Sequence, residues 1–235
     1  MLDITQVLGD AFRLVVSFDR NLLEIMGLSL SVTIGAVIIS CVVGFPFGAA
    51  LAIWRFPGRG LAVLLVNALM GLPPVVVGLT LYLLFSASGP LGVLQLLYTP
   101  TAMAIAQIIL VTPIVAALTH QVIADLHAEY DETLRSMGAS PHMTVRTLLW
   151  DARHSLLTAA LAGFGRANAE VGAVMIVGGN INHVTRMMTT SIALETSRGD
   201  LSLALALGII LIVLTISINA ALMAARSGME RFANA

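Results

Sequence analysis

The chain has 235 residues, 58% of them hydrophobic and only 11% charged, with a formal net charge of −1 and a mean hydropathy of +0.95. A soluble domain carries about 25% charged residues, so this composition belongs in a bilayer and offers no basic patch for nucleic acid. All twelve basic residues are arginine; without lysine the chain has neither a Walker A loop nor a Schiff-base nucleophile, and the lone Cys41 reads as a small packed hydrophobe.

Residues 1–24 lack the basic start of a signal peptide. Their apolar stretch "AFRLVVSF" is too short to span, so an extracytoplasmic interfacial segment is expected, with a shortened sixth span as the alternative. Between Glu24 and Arg55 there is no formal charge. About 20 helical residues cross the roughly 30 Å hydrocarbon core, and a first span over 25–54 follows. Arg59 to Asp125 is again charge-free, and "SASGPLG" (86–92) divides it by turn chemistry into spans at 61–85 and 101–123. A charged segment, 125–155, precedes a fourth span at 156–179. A polar loop at 180–200 leads to a fifth span at 201–225 and a tail over 227–235. No stretch alternates with a period of two, which excludes a barrel. The fold class is therefore an all-α integral membrane protein of about five transmembrane helices, with the membrane domain over 25–226.

Arginines near span ends set orientation. Arg55, Arg59, Arg135, Arg146, Arg153, Arg226 and Arg231 fall on one side; Arg13, Arg20, Arg186 and Arg198 fall on the other, beside the charge-free loop 86–100. An external N-terminus and a cytoplasmic C-terminus are expected. Within the spans, Pro73 and Pro74 predict a kink. Gly44 and Gly48, with Pro46 between them, form a G-x-x-x-G suited to close helix packing.

The segment "DLHAEYDETLRSMGASPHMTVRTLLWDARHS" (125–155) reads as two short helices joined at "GASP". Gly138 suits a left-handed turn, Ser140 an N-cap and Pro141 a first helical position. The second helix carries Met143, Leu148 and Trp150. Such an element on the cytoplasmic face is either a docking device or a plain connection.

"ETLRSMGAS" (132–140) resembles the EAA loop of permease subunits of ABC importers, whose pattern is Glu-Ala-Ala, three residues, Gly, nine residues, Ile, one residue, Leu-Pro. Glu132 and Gly138 match, Leu148 takes the Ile position, Thr133 and Leu134 replace the alanines, and Trp150 and Asp151 stand where Leu-Pro is expected. "MGLPPVVVGLTLYLLFSASGPLG" (70–92), "GFGRANAEVGAVMIVGGNI" (163–181) and "TRMMTTSIALETSRGDLSLALALG" (185–208) are similar to the permease of the tungstate importers, within the molybdate and tungstate oxyanion group. The resemblance implies a type I importer permease in a bacterial or archaeal cytoplasmic (inner) membrane, forming the translocation path as a homodimer. It implies a cytoplasmic ATP-binding subunit gripping the loop through Glu132, Gly138, Ala139, Ser140 and Leu148. It also implies an extracytoplasmic solute-binding protein and membrane lipid as partners, tungstate as cargo with molybdate or another small anion as alternative, and no catalytic residue or cofactor in this chain. A secondary transporter is the more distant alternative, and no internal repeat supports it.

Arg166 and Glu170 sit in the apolar fourth span. At about 1.5 Å per residue, Arg166 lies roughly 16 Å beyond Ser155, where a lone charge costs about 2.5–3.5 kcal/mol or more. On a continuous helix the i,i+4 spacing sets both on one face, with Asn168 facing away. Either Arg166 lines the anion path or its gate while Glu170 prevents an oxyanion from being trapped, or the pair is a structural tie. The five histidines offer no ligand set of defined geometry for a metal. In the outer loop, Asn180, His183, Thr185 and Arg186 either meet the delivering protein, line the entrance, or cap the span in solvent.

Overall fold

A computed structural model describes Arg13 and residues 20–233. Most of the expected interfacial segment 1–24 lies outside the described residues. Among the described residues nine α-helices and a 3-10 turn follow one another: α1 (Arg20–Ile53), α2 (Arg59–Met70), α3 (Pro74–Phe85), the turn Gly92–Leu94, α4 (Pro100–Ser136), α5 (Pro141–Asp151), α6 (Arg153–Asn168), α7 (Gly172–Gly178), α8 (Met188–Arg198) and α9 (Leu201–Ala233), with no strand. α1, α4 and Leu201–Ala221 of α9 are each long and apolar enough to cross a membrane, and the bent pairs α2–α3 and α6–α7 bring the count to five if each pair is one span.

The kink expected at Pro73 and Pro74 is a full break between two helices, and the fourth span is broken as well. Pro73 and Pro74 both lack an N–H, and a residue before proline is pushed out of the helical region. α2 therefore stops at Met70, and Pro74 opens α3. The second break lies between Asn168 and Gly172. α4 does not stop near residue 123 but continues to Ser136, its polar end laced by His127–Asp131 (3.7 Å) and Arg135–Asp131 (2.9 Å) at helical i,i+4 spacing. The 180–200 loop contains a full helix, α8.

The chain folds as two compact units. Of the described residues, one comprises those up to Gly35, Pro74–Gln107 and Asn168–Ala224; the other comprises Ala36–Pro73, Ile108–Ala167 and those from Ala225 onward. The first has a core of Leu22, Met188 and Leu207 packed with Ile25, Met26 and Ile192. The second is built on small residues. A Cβ on Gly44 would stand 2.9 Å from Val115 Cγ1, and one on Gly48 would strike the Ala116 carbonyl, so the G-x-x-x-G lets α1 and α4 meet backbone to backbone. Arg59 finishes α1 from outside, its Nε donating to the Leu51 carbonyl (2.7 Å) and its Nη2 to that of Ala52 (3.0 Å), two of the acceptors that a helix end leaves open. Ile38, Val42, Val43 and Phe47 of α1 and Ile212, Val213 and Ile216 of α9 stay exposed, an apolar surface that suits lipid and not water.

Candidate functional site

The 125–155 region is built almost entirely from local rules. Gly138 has φ +69°, a conformation that costs an L-residue with a Cβ. Its N–H donates to the Arg135 carbonyl (3.0 Å) and the Ala139 N–H to that of Leu134 (3.0 Å), the paired 5→2 and 6→1 bonds of a Schellman C-cap. Ser140 then caps α5, its Oγ accepting the Met143 N–H (3.4 Å), and Pro141 occupies the first turn. α5 is amphipathic. Leu148 is buried among Ala49, Ala52, Ile123, Ala152 and Leu156, and Thr144 is buried on the same face. Met143 and Trp150 point outward, with Met137 just before the turn. Arg153 holds Trp150, donating from Nη1 to its carbonyl (2.9 Å) with the guanidinium 5.1 Å from the ring centroid. His142 meets the Trp54 ring edge-on at 5.6 Å. Without a proline after Leu148, α5 is separated from α6 by Ala152 alone.

The 163–200 segment is built from long-range bonds. α6 ends at Asn168, whose Nδ2 donates to Thr215 Oγ1 (2.6 Å) on α9. Glu170 is buried, its Oε1 accepting the Ala173 N–H (2.9 Å) at the start of α7 and its backbone carbonyl accepting from Thr189 Oγ1 (2.8 Å). That carbonyl is no longer offered to a continuing helix. Beyond α7, Asn180 Nδ2 donates to the Thr190 carbonyl (3.3 Å), while Thr190 Oγ1 donates to Asn180 Oδ1 (2.9 Å). Thr185 Oγ1 donates to the Gly178 carbonyl and accepts the Ile181 N–H, and the Met188 N–H donates to Ser29 Oγ (2.8 Å). His183 Nδ1 lies 2.7 Å from Glu24 Oε2.

A family model described as binding-protein-dependent transport system inner membrane component matches residues 44–230. The chain belongs to this family. It is 40% identical over 210 residues to the tungstate uptake system permease protein TupB of Peptoclostridium acidaminophilum, covering 89% of this chain and 92% of that protein. It is 36% identical over 204 residues to a probable anion ABC transporter permease protein of Haloferax volcanii, covering 85% and 88%. A sulfate transport system permease protein, CysW of Synechocystis sp., is 32% identical over 170 residues, 69% of this chain and 62% of that one. This chain is accordingly a multi-pass membrane component of a transport system, with the type I permease fold.

Within this permease the loop residues divide by exposure. Glu132, Gly138 and Ser140 are exposed and Ala139 is half-buried, so all four stand at or beside one outward-facing turn. Leu148 faces inward and acts on that turn as its anchor. Met137, Met143 and Trp150 supply the outward apolar surface; Met137 was missed in the sequence, where an apolar residue before a glycine turn carries no signal of its direction. Arg166 lies half-buried in the last turn of α6, a favourable place for a cation. α6 ends at Asn168, so Glu170 lies past that helix and caps the next one. Asn168, expected merely to face another surface, ties α6 to α9. Asn180 and Thr185 are held in buried bonds within this loop and α8.

Proposed function

We propose that this permease forms the translocation path of an ATP-driven importer of a small tetrahedral oxyanion, tungstate foremost, and works as a homodimer. A separate cytoplasmic subunit binds and hydrolyses ATP, and an extracytoplasmic binding protein delivers the anion. The observation that carries the coupling role is the 132–151 element: a rigid turn at Gly138 and a helix held from behind by Leu148, with Met143 and Trp150 turned outward. Exposed large apolar side chains on a rigid support are what a partner groove takes up. This chain has no lysine with which to hold nucleotide phosphates, which supports hydrolysis on a partner. The similarity to TupB over nearly the whole chain supports tungstate; the sulfate relatives support a second reading in which molybdate or sulfate is carried. The arginine distribution supports an external N-terminus and a cytoplasmic C-terminus.

Arg166 and Glu170 are assigned to the path or its gate. A cation near membrane depth attracts an oxyanion, and conduction requires that it not hold the ion tightly. Arg166→Ala is expected to damage folding or uptake more than Arg166→Ala combined with Glu170→Ala, because a buried carboxylate stripped of a counter-charge costs about 3–5 kcal/mol. A double-mutant cycle on expression and uptake measures this coupling, and additive effects would remove it.

The deciding experiment is reconstitution of the permease with its ATPase and binding protein in liposomes. Tungstate uptake should require ATP and should resist competition by sulfate. Uptake without ATP would overturn the importer reading, and preferential uptake of molybdate or sulfate would reassign the cargo alone.

A further inference from the structure

A cavity of about 410 Å³ opens between the start of α1 and the loop after α7, lined by Asn21, Glu24, Leu28, Asn182, His183 and Arg186 among others. Its charges are not evenly matched. Glu24 is engaged twice, by His183 Nδ1 at 2.7 Å and by Arg20 Nε at 3.4 Å. Arg186 pairs with no carboxylate among the described residues, and its Nε is buried without a hydrogen-bond partner. A desolvated guanidinium N–H is costly until an acceptor reaches it. The fold does not need Arg186 for the loop itself, because Asn180 and Thr185 already hold that backbone through buried bonds. A guanidinium beside an imidazole and two amide side chains matches a ligand that is all acceptor, with several oxygens and negative charge.

We propose that this cavity is a capture site for a small tetrahedral oxyanion, with Arg186 as the main contact and Asn182 and His183 beside it. The proposal rests on the oxyanion-import reading and adds where the ion first touches the permease. The cavity is far larger than one such ion, and at roughly 30 Å³ per water it admits the ion with part of its hydration shell. The Glu24 carboxylate on the same wall opposes an anion. Both features make the site weak, as a waiting position on a transport path must be.

The test is the thermal unfolding midpoint of the purified full-length permease in nanodiscs, titrated with sodium tungstate, molybdate or sulfate at constant ionic strength, from which an apparent Kd follows. At least one of these oxyanions should raise the midpoint in a saturable way that chloride does not reproduce. Arg186→Gln should weaken the apparent affinity about tenfold or more. Asn182 is exposed, so its variants keep the fold while changing the charge of the wall: Asn182→Asp should weaken binding several-fold and Asn182→Lys should tighten it. No saturable shift with any of the three oxyanions overturns the proposal, and so do Asn182→Asp and Asn182→Lys shifts of the same sign. If Arg186→Gln does not fold, the opposite signs at Asn182 decide. If the ions bind in this pattern while the reconstituted assembly imports none of them, the importer reading fails and the site stands.

Discussion

The turn at 137–151 and the segment at 170–190 hold their shapes by different means. At the turn, every backbone bond that sets the conformation joins residues within five positions of one another, and Leu148 is the main apolar anchor. In the 170–190 segment the deciding bonds reach from Glu170 to Thr189, from Asn180 to Thr190 and from Met188 to Ser29, and their side chains are buried. The turn leaves Met137 77% and Trp150 72% exposed, whereas Thr190 is 0% exposed. An element with local bonds and an open face can be gripped and moved by a partner as one piece. An element whose bonds run to distant parts of its unit moves only with that unit. The first design suits a coupling device, the second a wall beside a path.

Four substitutions test this contrast. The largest effect is expected from Leu148→Ala, which removes the anchor and leaves a cavity worth about 2–5 kcal/mol. Hydrogen exchange should rise throughout α5, and co-purification of the ATPase should fall, while exchange in 170–190 stays unchanged. Next comes Asn180→Ala, which deletes the two buried bonds of the Asn180 amide to the Thr190 hydroxyl and carbonyl and costs about 1–3 kcal/mol for the pair. Here the unfolding midpoint should drop with ATPase binding intact; a loss of ATPase binding instead would mean the two regions are not independent. Gly138→Val forces a β-branched residue to φ +69° at a cost of about 1–2 kcal/mol. Space is not the obstacle, since nothing lies within 4 Å of the would-be Cβ. Membrane insertion should be normal, ATPase co-purification reduced and ATP-driven uptake lost; undiminished co-purification with full uptake would remove the docking assignment. The smallest effect is expected from Glu132→Ala, an exposed carboxylate whose contacts are worth about 0–1 kcal/mol, seen as a slight weakening of the ATPase complex in a salt-dependent pull-down.

The same contrast separates what the sequence by itself determined from what only the tertiary structure decided. The turn at Gly138, the cap at Ser140 and the start of α5 at Pro141 were legible because each acts through the backbone of its immediate neighbours. The close packing of Gly44 and Gly48 was legible as a spacing, though not its partner Val115. The all-helical membrane fold followed from charge-free lengths. The inward direction of Leu148 required knowing where α1 and α4 lie within the same unit. The contact of His183 with Glu24 and that of Met188 with Ser29 each join residues 159 positions apart, beyond any periodicity. Arg166 and Glu170 show the limit most plainly. Four residues apart, they share a helical face only if the helix continues. α6 ends at Asn168, and the Glu170 carbonyl accepts from a threonine nineteen residues further on, a bond that exists only once the chain has folded back on itself.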